Sequence, residues 1–297
     1  SCRAPRRTGD QSAQSTYNYL ADIENLKNIQ ANLNSLHKSI KIETLVESST
    51  KRRNSASNLV KIDVSSVPRV PEYQIEQFKN TFLSDIYINV GQSGYEEREA
   101  NRTKIMFARC EWVQKNPEIY VNMLRVKGYT DEQIQACLDG CRPLCYSSES
   151  IKQEFCQSLS ELKNSLEAET PLTDIWFAQT GSSVLGFSTN PWKGFEERPS
   201  HLTQNGTSDV DIVIVANGVK NLFAKLENVT EVRHHTSVCD INGKTDMRYG
   251  LRNIEILNPK LKAWEEKMVR KLGSNIQITF QEGSTDPVFP PWETALL

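Results

Sequence analysis

The chain has 297 residues, a net charge of −2, 24% charged and 38% hydrophobic residues. That length permits one large domain or two ordinary ones, and the hydrophobic share is enough for a packed core beneath a strongly polar surface. The near-neutral balance argues against a broad basic nucleic-acid face, and no apolar run approaches the roughly 18 residues of a membrane span.

Charge is spread unevenly. Residues 1–53 carry nine Lys/Arg against five Asp/Glu, which leaves the remainder at −6. The Lys51-Arg52-Arg53 run could meet phosphate, but such runs read first as solvated linker. The opening residues Ser1 to Arg7 lack an apolar segment, so no signal peptide is expected there. Residues 1–16 are rich in Ser, Gln and Arg and read as disordered. From 16 to 46, apolar residues from Leu20 through Ile40 recur at spacings of three and four, an amphipathic helix. Residues 47–72 read as a linker, so 1–70 form a helical extension plus linker.

A helical module is expected over 71–169. Its predicted helices cover 72–90, 96–115, 118–127 (after Asn116-Pro117), 131–139 and 149–169. It has no catalytic pattern of its own, and Phe107, Trp112 and Tyr120 read as core. Cys137, Cys141 and Cys145 are spaced by four, yet Gly140 and Pro143 break any shared helical stripe. With no paired Cys-x-x-Cys spacing, zinc is disfavoured and free thiols are the expectation; one bridge among Cys137, Cys141, Cys145 and Cys156 stays open.

The chemistry is expected in 170–297. A short strand over 174–178 leads into Gly181-Ser182-Ser183, which turns the chain into a short helix over 183–185. After a polar, Gly- and Pro-containing excursion, Ser208-Asp209-Val210-Asp211 runs into an unbroken β-branched strand to Val215. A helix over 219–227, a hairpin of strands 231–238 and 247–251, a helix capped by Asn258-Pro259 and a strand over 275–280 complete the pattern. The Pro-containing tail reads as a wrapping or disordered segment.

Residues two apart on a strand point to one face, so Asp209 and Asp211 project side by side. Two such carboxylates repel unless a cation bridges them, and hard oxygen ligands favour Mg²⁺. A Gly-Ser turn at a helix start offers backbone N–H groups and a hydroxyl to phosphate. The alternative reading is plain: a surface turn and a solvated strand start.

Gly181-Ser182 followed by Asp209-Val210-Asp211-Ile212 resembles the polymerase-β-like nucleotidyltransferase superfamily, whose mark is Gly-Gly or Gly-Ser, a spacer, and Asp-apolar-Asp-apolar. The wider flavour of residues 187–191 and the spacer is similar to nucleotidyltransferase domains of bacterial secreted or polymorphic toxins. The 27 residues from Ser182 to Asp209 exceed the usual spacer about twofold, which implies an inserted loop over 189–207. The resemblance implies an α/β (α+β) fold: a small mixed sheet flanked by helices behind a mainly helical N-terminal region. It implies a nucleotidyltransferase, with Mg²⁺ or Mn²⁺ held by Asp209 and Asp211, and phosphate held by Gly181, Ser182, Ser183 and Ser208. A nucleoside triphosphate such as ATP would be the donor, and an RNA end, a protein side chain or a nucleotide the acceptor. A cytoplasmic protein, or an effector or toxin delivered into a target cell, would fit. A third acid is expected among Asp240, Asp246 and Glu255. If the 275–280 strand carries that position, Gln277 fills it, and His235 or the substrate must act as base. The rival expectation is a catalytically inactive fold serving as an interaction module.

Overall fold

In a computed structural model, residues 61–77, 95–140, 142–190, 209–239, 243–283 and 290–296 are described, with backbone alone for 95–100. The helix expected over 16–46 and residues 191–207 of the inserted loop expected over 189–207 lie outside them. Contacts divide the chain after Ser48, and 49–297 form one compact unit.

Helices lead. They are α1 (Tyr95–Lys115), α2 (Pro117–Val126), α3 (Asp131–Leu138) and α4 (Glu149–Glu169). Pro117 starts α2, where its missing N–H costs nothing. Thr130 and Gln133 form a capping box at the start of α3, and Ser148 accepts from Ile151 N–H at the start of α4. The predicted helices over 96–115, 118–127, 131–139 and 149–169 all appear, within a residue or so at each end. Of the helix expected over 72–90, residues 72–77 are helical and 78–90 lie outside the described residues.

The rest is α/β: β1 (Thr173–Thr180), α5 (Ser182–Leu185), β2 (Val210–Asn217), α6 (Val219–Leu226), β3 (Val232–Val238), β4 (Thr245–Leu251), α7 (Pro259–Leu272), β5 (Ile276–Glu282) and β6 (Glu293–Ala295). The strands form one mixed sheet in the order β3-β4-β5-β2-β1-β6. Among the described residues, only β2 and β5 pair in parallel. The continuous apolar run of β2 is what this central position demands, since the strand is covered on both faces.

One face of the sheet carries Phe177, Ile212, Ile214, Ile276 and Phe280, packed against α4, α6 and α7. Each such fully buried side chain contributes about 1.5–3 kcal/mol. The opposite face carries Ala178, Val213 and Val215 with Trp176. A second core joins α1, α2 and α3 to residues of the sheet half, including Val184, Leu185, Phe187, Val238 and Trp292. The ring of Trp292 meets Phe107 of α1 edge-on at 5.1 Å. The helical region and the sheet therefore share buried surface.

Two expectations need correcting. Residues 61–70 are packed, not linker: Val64 and Val67 are buried, and Arg125 holds both their carbonyls at 2.9 Å. The tail is not only a wrapping segment, because residues 293–295 add an edge strand to β1. Among the described residues, no helix is long and apolar enough to cross a membrane.

Candidate active site

The antiparallel ladder of β1 and β2 sets the geometry. Thr180, the last residue of β1, pairs with Asp211 near the start of β2. The chain then leaves β1 through Gly181, on the same edge where Asp209 and Asp211 enter. Gly181 has φ 82° and ψ −158°, a conformation open essentially to glycine alone. A Cβ there would lie 2.9 Å from Asp211 Oδ2, so the bare α-carbon is what lets the turn pack against this carboxylate. Asp209 and Asp211 are both half-buried. Asp211 shares the face of Val213 and Val215, away from α4, α6 and α7.

Gln277 joins them. In the parallel ladder it pairs with Asp211, and its Nε2 donates to Asp209 Oδ2 at 2.7 Å. The position next to the two acids thus carries an amide that acts as a donor. The oxygens of the two carboxylates are the groups here that could hold a hard divalent cation. Among the described residues, no cluster of three His, Cys, Asp or Glu side chains is placed to hold a metal.

The other third-group candidates lie elsewhere. His235 pairs with Arg248, which pairs with Gln281, which pairs with Val215. It stands three strands from β2, in the row of Val215 rather than that of Asp211. Burial, then the neighbouring Arg233 and His234, hold its imidazole below its ordinary value of 6.5. The register thus seats it on the edge strand β3, not on a strand beside the acids. Asp246 accepts from Gln281 Nε2 at 3.1 Å and from the Cys239 thiol at 3.2 Å, near the start of β4. Glu255 is exposed in a single 3-10 turn, Ile254–Ile256. Asp240 and Ser208 lie outside the described residues.

The turn differs from a simple phosphate cradle in two respects. The Gly181 N–H donates to Trp292 O at 2.9 Å, just before β6. Ser183, expected to bind phosphate, is fully buried: its hydroxyl donates to Thr180 O at 3.2 Å and accepts from Gln179 Nε2 at 2.9 Å. A helix rotates about 100° per residue, so adjacent serines face different ways. Ser182 remains half-buried at the turn.

Sequence reasoning missed Glu293. It pairs with Thr180 and so stands in the row of Asp211, two strands over. Its carboxylate is buried and taken by Arg248 at 2.7 Å, while Arg248 Nε donates to Gln281 Oε1 at 2.9 Å. A three-residue strand has too little length to show a period, so only the apolar Trp292 before it hinted at burial.

The described cysteines are all unbridged. Burial pushes the thiols of Cys137, Cys145 and Cys239 up to about 12, which keeps them protonated and poor nucleophiles at neutral pH.

No family model matches the chain, and neither a curated protein nor a solved structure matches it.

Proposed function

We propose that the chain is a nucleotidyltransferase that moves a nucleoside monophosphate from a nucleoside triphosphate to a hydroxyl, releasing pyrophosphate. One observation carries this reading: Asp211 meets the Gly181–Ser182 turn across a single antiparallel ladder, with Asp209 two residues before it and bonded to Gln277. Asp209 and Asp211 would hold Mg²⁺ or Mn²⁺, which when bound offsets charge on the triphosphate and the leaving pyrophosphate. Gly181 lets the backbone come close to the phosphates, and Ser182 offers them its hydroxyl. The acceptor class is an RNA end, a protein side chain or a second nucleotide, and an effector acting on RNA or protein fits this range.

The test is transfer of label from α-labelled triphosphates to total RNA or lysate protein in Mg²⁺, beside the Asp209→Ala/Asp211→Ala variant. Transfer that falls to background in the variant is the expected result. Equal signals from both proteins would end the reading.

A second reading is favoured by the Gln277–Asp209 bond. An amide cannot take a proton from an attacking hydroxyl, so this site would bind a metal–nucleotide and hold it with little transfer. Nucleotide binding that needs Asp209 and Asp211, without labelled product, distinguishes it.

A further inference from the structure

A helix as short as α5 cannot hold its own shape. Its backbone closes one i→i+4 bond, from Gly186 N–H to Ser182 O at 2.7 Å. Nucleating a lone turn in water is unfavourable, and the carbonyls at a helix C-terminus lack partners within the helix. Here each of them meets a donor from the preceding helical region. Ser183 O accepts from Cys145 N–H at 3.3 Å, and Val184 O from the Cys137 thiol at 3.3 Å. Leu185 O accepts from the Tyr120 hydroxyl at 2.7 Å, and Gly186 O from the Lys127 ammonium at 2.6 Å. Gly186 is closed in from both sides: a Cβ there would lie 2.7 Å from Leu124 Cδ2 and 2.7 Å from Leu144 Cδ1.

These donors are unequal. A thiol is a weak donor and Cys145 offers a neutral amide, whereas Lys127 makes a charge-assisted bond, roughly twice as strong as a neutral one. Tyr120 is fully buried, so much of what it does is packing. Lys127 is only half-buried and can be replaced without opening the core.

We infer that Lys127 is the positioning residue of the Gly181–Ser182 turn, and that the helical region sets nucleotide affinity by clamping α5 through it. This rests on the nucleotide reading above. Lys127 acts through Gly186, the residue that closes the same turn of helix that Ser182 opens.

The experiment uses the full chain and two readouts, Mg²⁺·ATP binding by calorimetry and amide hydrogen exchange. Lys127→Met should weaken Mg²⁺·ATP binding by about tenfold, the scale of one lost hydrogen bond to a charged group. Exchange should quicken over 181–187 and stay unchanged in β2 and β5. Lys127→Arg, which restores a cationic donor, should recover the affinity to within about twofold. Unchanged exchange over 181–187 in Lys127→Met overturns the clamp, and so does an equal loss in the Met and Arg variants. If Lys127→Met does not fold, Tyr120→Phe removes a single hydroxyl from the same clamp, and the same two readouts apply. Wild-type protein that binds no Mg²⁺·ATP overturns the nucleotide reading and the affinity role with it. The exchange data then decide separately whether the clamp exists.

Discussion

Gln277 is the side chain on which the chemistry of the acidic edge turns. It neighbours Asp211 in the ladder and donates to Asp209, so it orients a carboxylate without adding charge or basicity. Gln277→Glu keeps the length of the side chain and supplies a third acid. If the protein transfers nucleotides, this variant should raise the rate by about a hundredfold, the low end of what a positioned general base contributes. Initial rates of label transfer, wild type against variant at equal Mg²⁺, check it. Unchanged or lower rates would mean that the amide serves the native reaction. At this scale the sequence was informative where one strand carried the information: the shared face of Asp209 and Asp211 was read from a period of two, and the Gln277 position from the resemblance. It was silent on Ser183, whose direction depends on the rotation of a single helical turn. It was silent on His235 as well, because a register summed over several strands cannot be read from spacing.

Among the elements, β4 and β6 hold the sheet together in a way their sequences conceal. Arg248 of β4 and Glu293 of β6 lie four places apart in the strand order, yet they form a buried ion pair on the face shared with Asp211. Removing one partner leaves the other charged and buried. Arg248→Met should therefore cost about 3–5 kcal/mol in urea unfolding. Adding Glu293→Gln to it should recover part of the loss, as a double-mutant cycle would measure. A cost below about 1 kcal/mol would show that the pair is solvated. Most helices and strands were legible because caps and periods agree, as at Asn258-Pro259 and along β2. The segment around Val64 was not. Its Ser- and Pro-rich composition imitates a linker, while Arg125 and Asn122 on α2 supply the partners that fix it.

The whole unit from 49 to 297 behaves as one body because its helical region completes the sheet half. A boundary near 170 separates the sequence patterns, yet Leu185, Phe187 and Trp292 are buried against α1, α2 and α3. Residues 170–297 expressed alone should expose that apolar surface and the carbonyls of α5. The fragment should lack the dispersed amide spectrum expected of 49–297 by NMR, and a folded fragment would restore the two-domain view. Composition cannot convey this, since a helix that packs on its own module and one that props another element show the same apolar stripe.

The pairing of β1 with β6 has a kinetic corollary. The ladder that ends at Thr180 is completed by Glu293, and Phe107 finds Trp292 across an even longer stretch of chain. Such distant partners must pay loop-closure entropy before any contact rewards them, and topologies of this kind refold in about milliseconds to seconds rather than microseconds. The Gly181 amide finds its carbonyl only when that tail docks, so the bend beside the acidic pair is expected to mature late, which pulse-labelled exchange at Gly181 would check.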